Sequence, residues 1–208
     1  MESNSKPLED IDAIKTIMEK STRFLSLSGL SGIIAGLIAI AGSIIAIVMI
    51  LHGNTDGTFP DLASAGSEGL ALLLFIDALI ILTLAVVSAL VLSYRKALRK
   101  GLKIWTPVSK RLLFNFSIPL ITGGLFIIVL YNRELYGLII PSMLIFYGLG
   151  LVNAGKFTFD EIIYLGILEI VTGLTACLFP EYGIFLWIFG FGLLHVIYGL
   201  LMYRKYDR

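Results

Sequence analysis

Long apolar runs alternate with short polar segments along the chain, and this alternation predicts six membrane-spanning helices. A helix needs about 20 predominantly apolar residues to cross the hydrocarbon core of a bilayer. Only Asp77, Glu169 and His195 interrupt the runs with a charged or imidazole side chain. The expected fold class is therefore an all-α membrane protein. Its predicted spans cover residues 24–51, 69–94, 112–132, 135–155, 162–180 and 182–203.

The composition fits the same fold class. Hydrophobic residues make up 57% of the 208 residues and charged residues 15%, which is too apolar for the surface of a soluble domain. A disordered chain would be poorer in apolar residues, and a disulfide-stapled secreted domain would need more cysteines than the single Cys177. A net charge of +1 gives no reason to expect a nucleic acid as partner, so the lipid bilayer is the expected partner.

The distribution of Lys and Arg predicts the orientation, because cytoplasmic flanks retain positive residues during insertion. Of the 16 Lys and Arg residues, all but Arg133 flank the spans on one side. Both termini are therefore expected in the cytoplasm, in a multi-pass protein of a bacterial inner membrane. The chain would then consist of a cytoplasmic segment at residues 1–23, a transmembrane domain at 24–203 and a cytoplasmic tail at 204–208.

Residues 1–23 contain an amphipathic pattern. Apolar residues recur at helical spacing among charged residues, at Leu8, Ile11, Ile14, Ile17 and Met18, which predicts a short helix with one apolar face. This helix would lie flat on the cytoplasmic membrane surface or against the basic loop between spans two and three. A solvated helix that packs on nothing in particular is the alternative.

The loop between spans two and three is strongly basic and predicts a short helix that ends near Trp105. Its cations would anchor the loop to anionic lipid headgroups, and they would form a docking surface for a cytoplasmic protein only by a further hypothesis. The seven cationic residues are Arg95, Lys96, Arg99, Lys100, Lys103, Lys110 and Arg111.

Self-similarity in the last four spans suggests an internal repeat. The Ile-Thr-Gly of residues 121–123 resembles the Val-Thr-Gly of 171–173, and Tyr-Gly opens both the fourth and the sixth span, at 136–137 and 182–183. Repeated two-span units would give three tandem helical hairpins. Chance is the alternative, because Gly and Tyr are common in membrane helices.

Glu169, near the middle of span five, is the strongest functional signal. A carboxylate ionised in hydrocarbon costs at least about 2.5–3.5 kcal/mol, so this group must be protonated, partnered or exposed to a wet cavity. It is either a proton or cation site or a neutral acid that hydrogen-bonds a neighbouring helix. A pair with His195 is possible if spans five and six are neighbours.

Asp77 is the second intramembrane acid. It lies about nine residues inside span two, counted from Glu68, and is therefore shallower than Glu169. We expect it either to line an outward-facing vestibule or to be a snorkelling or hydrogen-bonded acid near Thr83 or a serine of span one.

Span one is rich in small residues. Gly32 and Gly36 form the small-xxx-small pattern that lets helix backbones approach closely. The segment at residues 29–32, Gly-Leu-Ser-Gly, looks like the nucleophile motif of the rhomboid family of intramembrane serine proteases. That resemblance implies Ser31 as nucleophile and His195 as base. The Trp-Arg loop and the second-span His of rhomboids have no counterpart here.

Cofactor sites are not indicated. His52 and His195 fall on opposite halves of the predicted membrane, so one chain cannot assemble a zinc site of three nitrogen ligands or a bis-histidine haem. We therefore expect no metal and no cofactor. The stretch at residues 21–32, with six spans and a short amphipathic lead, resembles a group of small bacterial integral membrane proteins, which implies a bacterial inner membrane and no particular activity.

Two functions follow, and a third is more distant. The first is a small proton- or ion-coupled transporter or channel-like protein, either a single chain or a homo-oligomer, in which Glu169, with His195 and Asp77, carries protons or contacts a polar substrate. The second is a noncatalytic scaffold or sensor that binds a cytoplasmic protein partner. The third is an intramembrane serine hydrolase that uses Ser31.

Overall fold

A computed structural model describes residues 27–53, 68–101 and 103–207, and these are helical with short turns and no strand. Six helices in these ranges are long and apolar enough to cross a membrane, which confirms the predicted number. The chain is thus compatible with a multi-pass integral membrane protein. The predicted amphipathic segment at residues 1–23 lies outside the described residues.

A 3-10 turn precedes both the fourth and the sixth helix, at Tyr136–Leu138 and Pro180–Tyr182. The first five helices are α1 (Gly29–Gly53), α2 (Glu68–Arg99), α3 (Pro107–Asn132), α4 (Ile139–Gly155) and α5 (Glu161–Leu178). The sixth, α6, continues through Gly183–Trp187, a π-helical segment Ile188–Leu194, His195–Met202 and a second π-helical segment Tyr203–Asp207.

The prediction of a separate basic helix between spans two and three is wrong. Instead α2 continues to Arg99, and Gly101, with φ of +62°, lies in the turn that follows it. Thr106 caps α3 through a reciprocal capping box with Ser109, and Pro107 occupies the first turn. The apolar periodicity of α2 runs into the basic region, where Ala97 is fully buried, so the chain has no reason to break there.

The helices form two groups of three. In one group α1 packs between α2 and α6, and in the other α4 packs between α3 and α5. The two groups meet where α6 contacts α5 and α4. Because α6 packs most extensively on α1, the arrangement as three tandem hairpins stays a prediction. Most of the surface of α2 and α3 is exposed and apolar, as expected of helices that face lipid.

Glycines bring both central helix pairs into backbone contact. A Cβ atom placed on Gly36 of α1 would lie 2.6 Å from the carbonyl oxygen of Gly192 in α6. A Cβ atom on Gly148 of α4 would lie 2.6 Å from the carbonyl oxygen of Gly166 in α5. Such close approach is the usual function of small residues in membrane helix pairs.

Charged side chains hold the helices together at one end of the bundle. We call this end the basic end because it carries the strongly basic turn between α2 and α3. There the Asp207 carboxylate accepts hydrogen bonds from the Gly29 backbone N–H (2.8 Å) and the Ser28 hydroxyl (3.2 Å). Its other oxygen lies 2.5 Å from Lys96 Nζ, which also donates to the carbonyl of Leu27. An anion at a helix N-terminus is stabilised by free N–H groups and by the helix dipole. Asp207 thus connects α1, α2 and α6.

Candidate functional site

Glu169 lies midway along α5 and is 0% exposed. Its helix face also carries Gly166, Thr172 and Gly173, all buried against neighbouring helices. These small residues allow α4 and α6 to approach closely. The acid therefore lies inside the bundle, away from the lipid-facing surface of α5.

His195 of α6 is the nearest basic group. Its Nδ1 atom lies 3.3 Å from Glu169 Oε1 and 3.1 Å from the carbonyl oxygen of Gly190, and the residue is only 7% exposed. It directly follows the π-helical segment, whose wider turn changes the direction in which later side chains point. The structure thus brings together two of the three residues singled out in the sequence.

Tyr147 of α4 completes the cluster, and sequence reasoning missed it. Its hydroxyl lies 2.8 Å from His195 Nε2, and the two rings are 5.4 Å apart. The signal that could have found it is a tyrosine in the middle of an apolar span, because a buried phenol needs a hydrogen-bond partner. We call Glu169, His195 and Tyr147 the buried triad.

Gly190 makes room for the carboxyl group. A Cβ atom at this position would lie 2.6 Å from Glu169 Oε2 and 2.5 Å from a methyl carbon of Leu144. Any larger residue would displace the acid or the leucine. Gly190 therefore shapes the pocket of the buried triad beside Glu169.

Hydrogen bonding around Glu169 is incomplete. Its contact with His195 is close enough for an ion pair but does not have hydrogen-bond geometry, and neither carboxyl oxygen has a hydrogen-bond partner among the described residues. An ionised carboxylate without hydrogen-bond partners would be strongly destabilising in a buried site. Together the acid and the imidazole can hold one proton with no net charge.

Apolar clusters flank the buried triad toward both ends of the bundle. Toward the basic end lie Leu151, Ile162, Leu165 and Leu194, which also pack against Tyr147. Toward the opposite end lie Ala39, Ile81, Ile140, Leu144, Ala176 and Trp187. Apolar side chains therefore lie between the buried triad and each end of the bundle.

Asp77 lies apart from the triad. It is half-buried on the wall of a cavity of about 310 Å³, near the end of the bundle that carries Arg133. Within the described part of the chain, no hydrogen bond or ion pair joins Asp77 to Glu169 or His195. Its pairing with Thr83 is not observed, since the Thr83 hydroxyl donates to the Leu79 carbonyl.

The small residues of α1 face α6. A Cβ atom on Gly32 would lie 3.0 Å from Gly199 Cα and 3.3 Å from the carbonyl oxygen of His195. The Ser31 hydroxyl donates to the carbonyl of Ser28 at 2.5 Å, and both ring nitrogens of His195 face other groups. The nucleophile and base of a serine hydrolase are therefore not joined in this structure.

The basic residues separate into two kinds. Lys96 is engaged with Asp207, and Lys100 donates to the carbonyl of Tyr206 at 3.2 Å. The other five remain exposed around the turn between α2 and α3: Arg95, Arg99, Lys103, Lys110 and Arg111.

Comparison with known proteins gives no further guide, since no protein-family model, curated protein or solved structure matches the chain.

Proposed function

We propose that this chain is a small proton- or ion-coupled transporter or channel-like protein whose proton site is the pair Glu169 and His195. One observation carries the proposal: the carboxyl group is fully buried, 3.3 Å from an imidazole nitrogen, and its oxygens lack a hydrogen-bond partner within the described ranges. A buried acid whose only role is to join neighbouring helices is expected to be hydrogen-bonded to them. A structural role alone therefore does not explain Glu169. The orientation that we propose places the basic end in the cytoplasm of a bacterial cell.

The chemistry of the pair is proton exchange. In the closed state of the proposal, Glu169 is a neutral carboxylic acid beside a neutral imidazole that carries its hydrogen on Nε2, and this N–H donates to the Tyr147 hydroxyl oxygen. Nδ1 is then free to accept the acid proton from Glu169, 3.3 Å away, which gives a carboxylate beside an imidazolium with no change in net charge. The new Nδ1–H also faces the Gly190 carbonyl. Opening of the apolar cluster on one side lets the pair exchange that proton with water on that side.

The test is proton flux through the purified full chain in liposomes that contain a pH-sensitive dye, with the membrane potential clamped by potassium and valinomycin. We expect flux above that of empty liposomes. Glu169→Gln should lower it at least tenfold, because the amide keeps the shape of the acid but cannot release a proton under these conditions.

The matched control is Glu181→Gln, which removes an exposed carboxylate in the turn before α6 and should leave the flux unchanged. Wild-type protein that carries no flux, or a Glu169→Gln variant as active as wild type, would contradict the proposal.

A noncatalytic scaffold or sensor is the second candidate. The five exposed cations of the basic end and Trp105, 70% exposed beside them, favour it, since this surface suits headgroups or an acidic protein partner. The two candidates differ in the flux experiment. A scaffold predicts no flux and no effect of Glu169→Gln, and it predicts that deleting residues 1–20 weakens partner binding.

A further inference from the structure

The cavity beside Asp77 is the second internal feature that could hold a ligand, and it is independent of the proposed proton site. It lies between α2 and α3, which hardly contact one another, and α1, α4 and α6 form its back wall. Its volume of about 310 Å³ is at the lower end of the range for small-molecule sites, roughly 300–1,000 Å³. Because α2 and α3 face lipid, a ligand would enter sideways from the bilayer.

The charge in the cavity is unbalanced. Asp77 lines it, whereas no Lys, Arg or His does so, and no ion pair or hydrogen bond of its carboxyl group is found in the described part of the chain. The remaining wall is mostly aliphatic and aromatic. Its aromatic members are Phe75, Tyr131, Tyr136 and Trp187.

This combination selects a class of ligand. A carboxylate in an apolar site favours a cation, and aromatic faces add to that attraction. An inorganic cation would need several oxygen ligands, usually with more than one carboxylate, whereas among the described residues Asp77 is the one carboxylate on this wall and its other polar side chains are Ser43, Tyr131, Tyr136 and Trp187. A phospholipid would bring a phosphate into contact with the carboxylate. An organic monocation with an apolar body matches both the charge and the walls.

We propose that this cavity binds a lipophilic organic cation, with Asp77 as its counter-ion. The ligand's apolar body contacts the aromatic and aliphatic walls, and its charge lies beside the carboxylate.

Tetraphenylphosphonium is the probe, and tetraphenylborate, of nearly the same shape and opposite charge, is its matched control. Binding of the radiolabelled cation to the full chain in lipid nanodiscs is measured by equilibrium dialysis. We expect Asp77→Asn to weaken its binding at least tenfold and Asp77→Glu to retain most of it. Tetraphenylborate binding should not fall in Asp77→Asn.

Two further variants keep the outcome interpretable. Glu134→Gln removes an exposed carboxylate from the same end of the bundle and should leave binding unchanged. Ala78→Trp fills the cavity while keeping the carboxylate and should also weaken binding at least tenfold. Equal binding of the phosphonium by wild type and Asp77→Asn, or by wild type and Ala78→Trp, would overturn the proposal.

The result is separable from that of the flux experiment. Glu169 does not line the cavity, so Glu169→Gln should bind the phosphonium like wild type even though it loses proton flux.

Discussion

Gly199→Ala should lower the free energy of unfolding by at least about 2 kcal/mol, because it forces the backbones of α1 and α6 apart. A Cβ atom at this position would lie 2.4 Å from the backbone nitrogen of Ile33 and 2.7 Å from the carbonyl oxygen of Gly29. These are backbone atoms, so no side-chain rotation can relieve the clash. The helices must separate, and the separation also removes contacts at Gly36.

Gly124→Ala is the matched control. A Cβ atom there meets nothing within 4 Å, and alanine favours a helix over glycine by about 1 kcal/mol. Unfolding free energies are measured by denaturant titration in mixed micelles. Equal stability of Gly199→Ala and Gly124→Ala would show that α1 and α6 do not pack as closely as described.

The second large effect is expected at the basic end. Asp207→Asn should lower the free energy of unfolding by about 3 kcal/mol, because removing one member of a buried ion pair leaves the other charge uncompensated. The side chains of Asp207 and Lys96 are each only 9% exposed. The substitution also weakens the cap that the carboxylate forms on Gly29 at the start of α1.

A neighbouring ion pair supplies the comparison for Asp207. Glu161 accepts a hydrogen bond from Lys205 at the same end, but the lysine side chain is 62% exposed. Surface pairs of this kind contribute about 0–1 kcal/mol, so Glu161→Gln should have a much smaller effect. If the two variants unfold alike in the same denaturant titration, Asp207 does not hold the helices together.

The membrane-length helices follow from the sequence, because a run of about 20 apolar residues has few other stable states. Single acidic residues within those runs can also be recognised from the sequence, because they interrupt otherwise apolar segments. The Glu169–His195 contact could be expected only as a possibility, since it depends on which faces of α5 and α6 meet. The face that α6 presents to α5 depends partly on the π-helical segment Ile188–Leu194. A search of the sequence for the α-helical period of 3.6 residues does not detect such a segment.

Other parts of the site depend on contacts between distant segments. The sequence predicts Asp207 only as part of the cytoplasmic tail at residues 204–208, and its contact with α1 and α2 shows that it is structural. Lys96 is likewise predicted from the sequence only as one of the seven cations of the basic loop, because its contact with Asp207 joins distant parts of the chain. Tyr147 and Gly190 are ordinary residues of apolar helices until the position of Glu169 is known.

Infrared spectra of wild type and of Glu169→Gln in lipid, taken as a difference, show whether Glu169 holds an exchangeable proton beside His195. We expect a carboxylic-acid carbonyl band in wild type that is absent from Glu169→Gln and that shifts when the buffer is changed to D2O. If wild type lacks the band, if the band persists in Glu169→Gln, or if it does not shift after long incubation of the folded protein in D2O, Glu169 is not an exchangeable proton site.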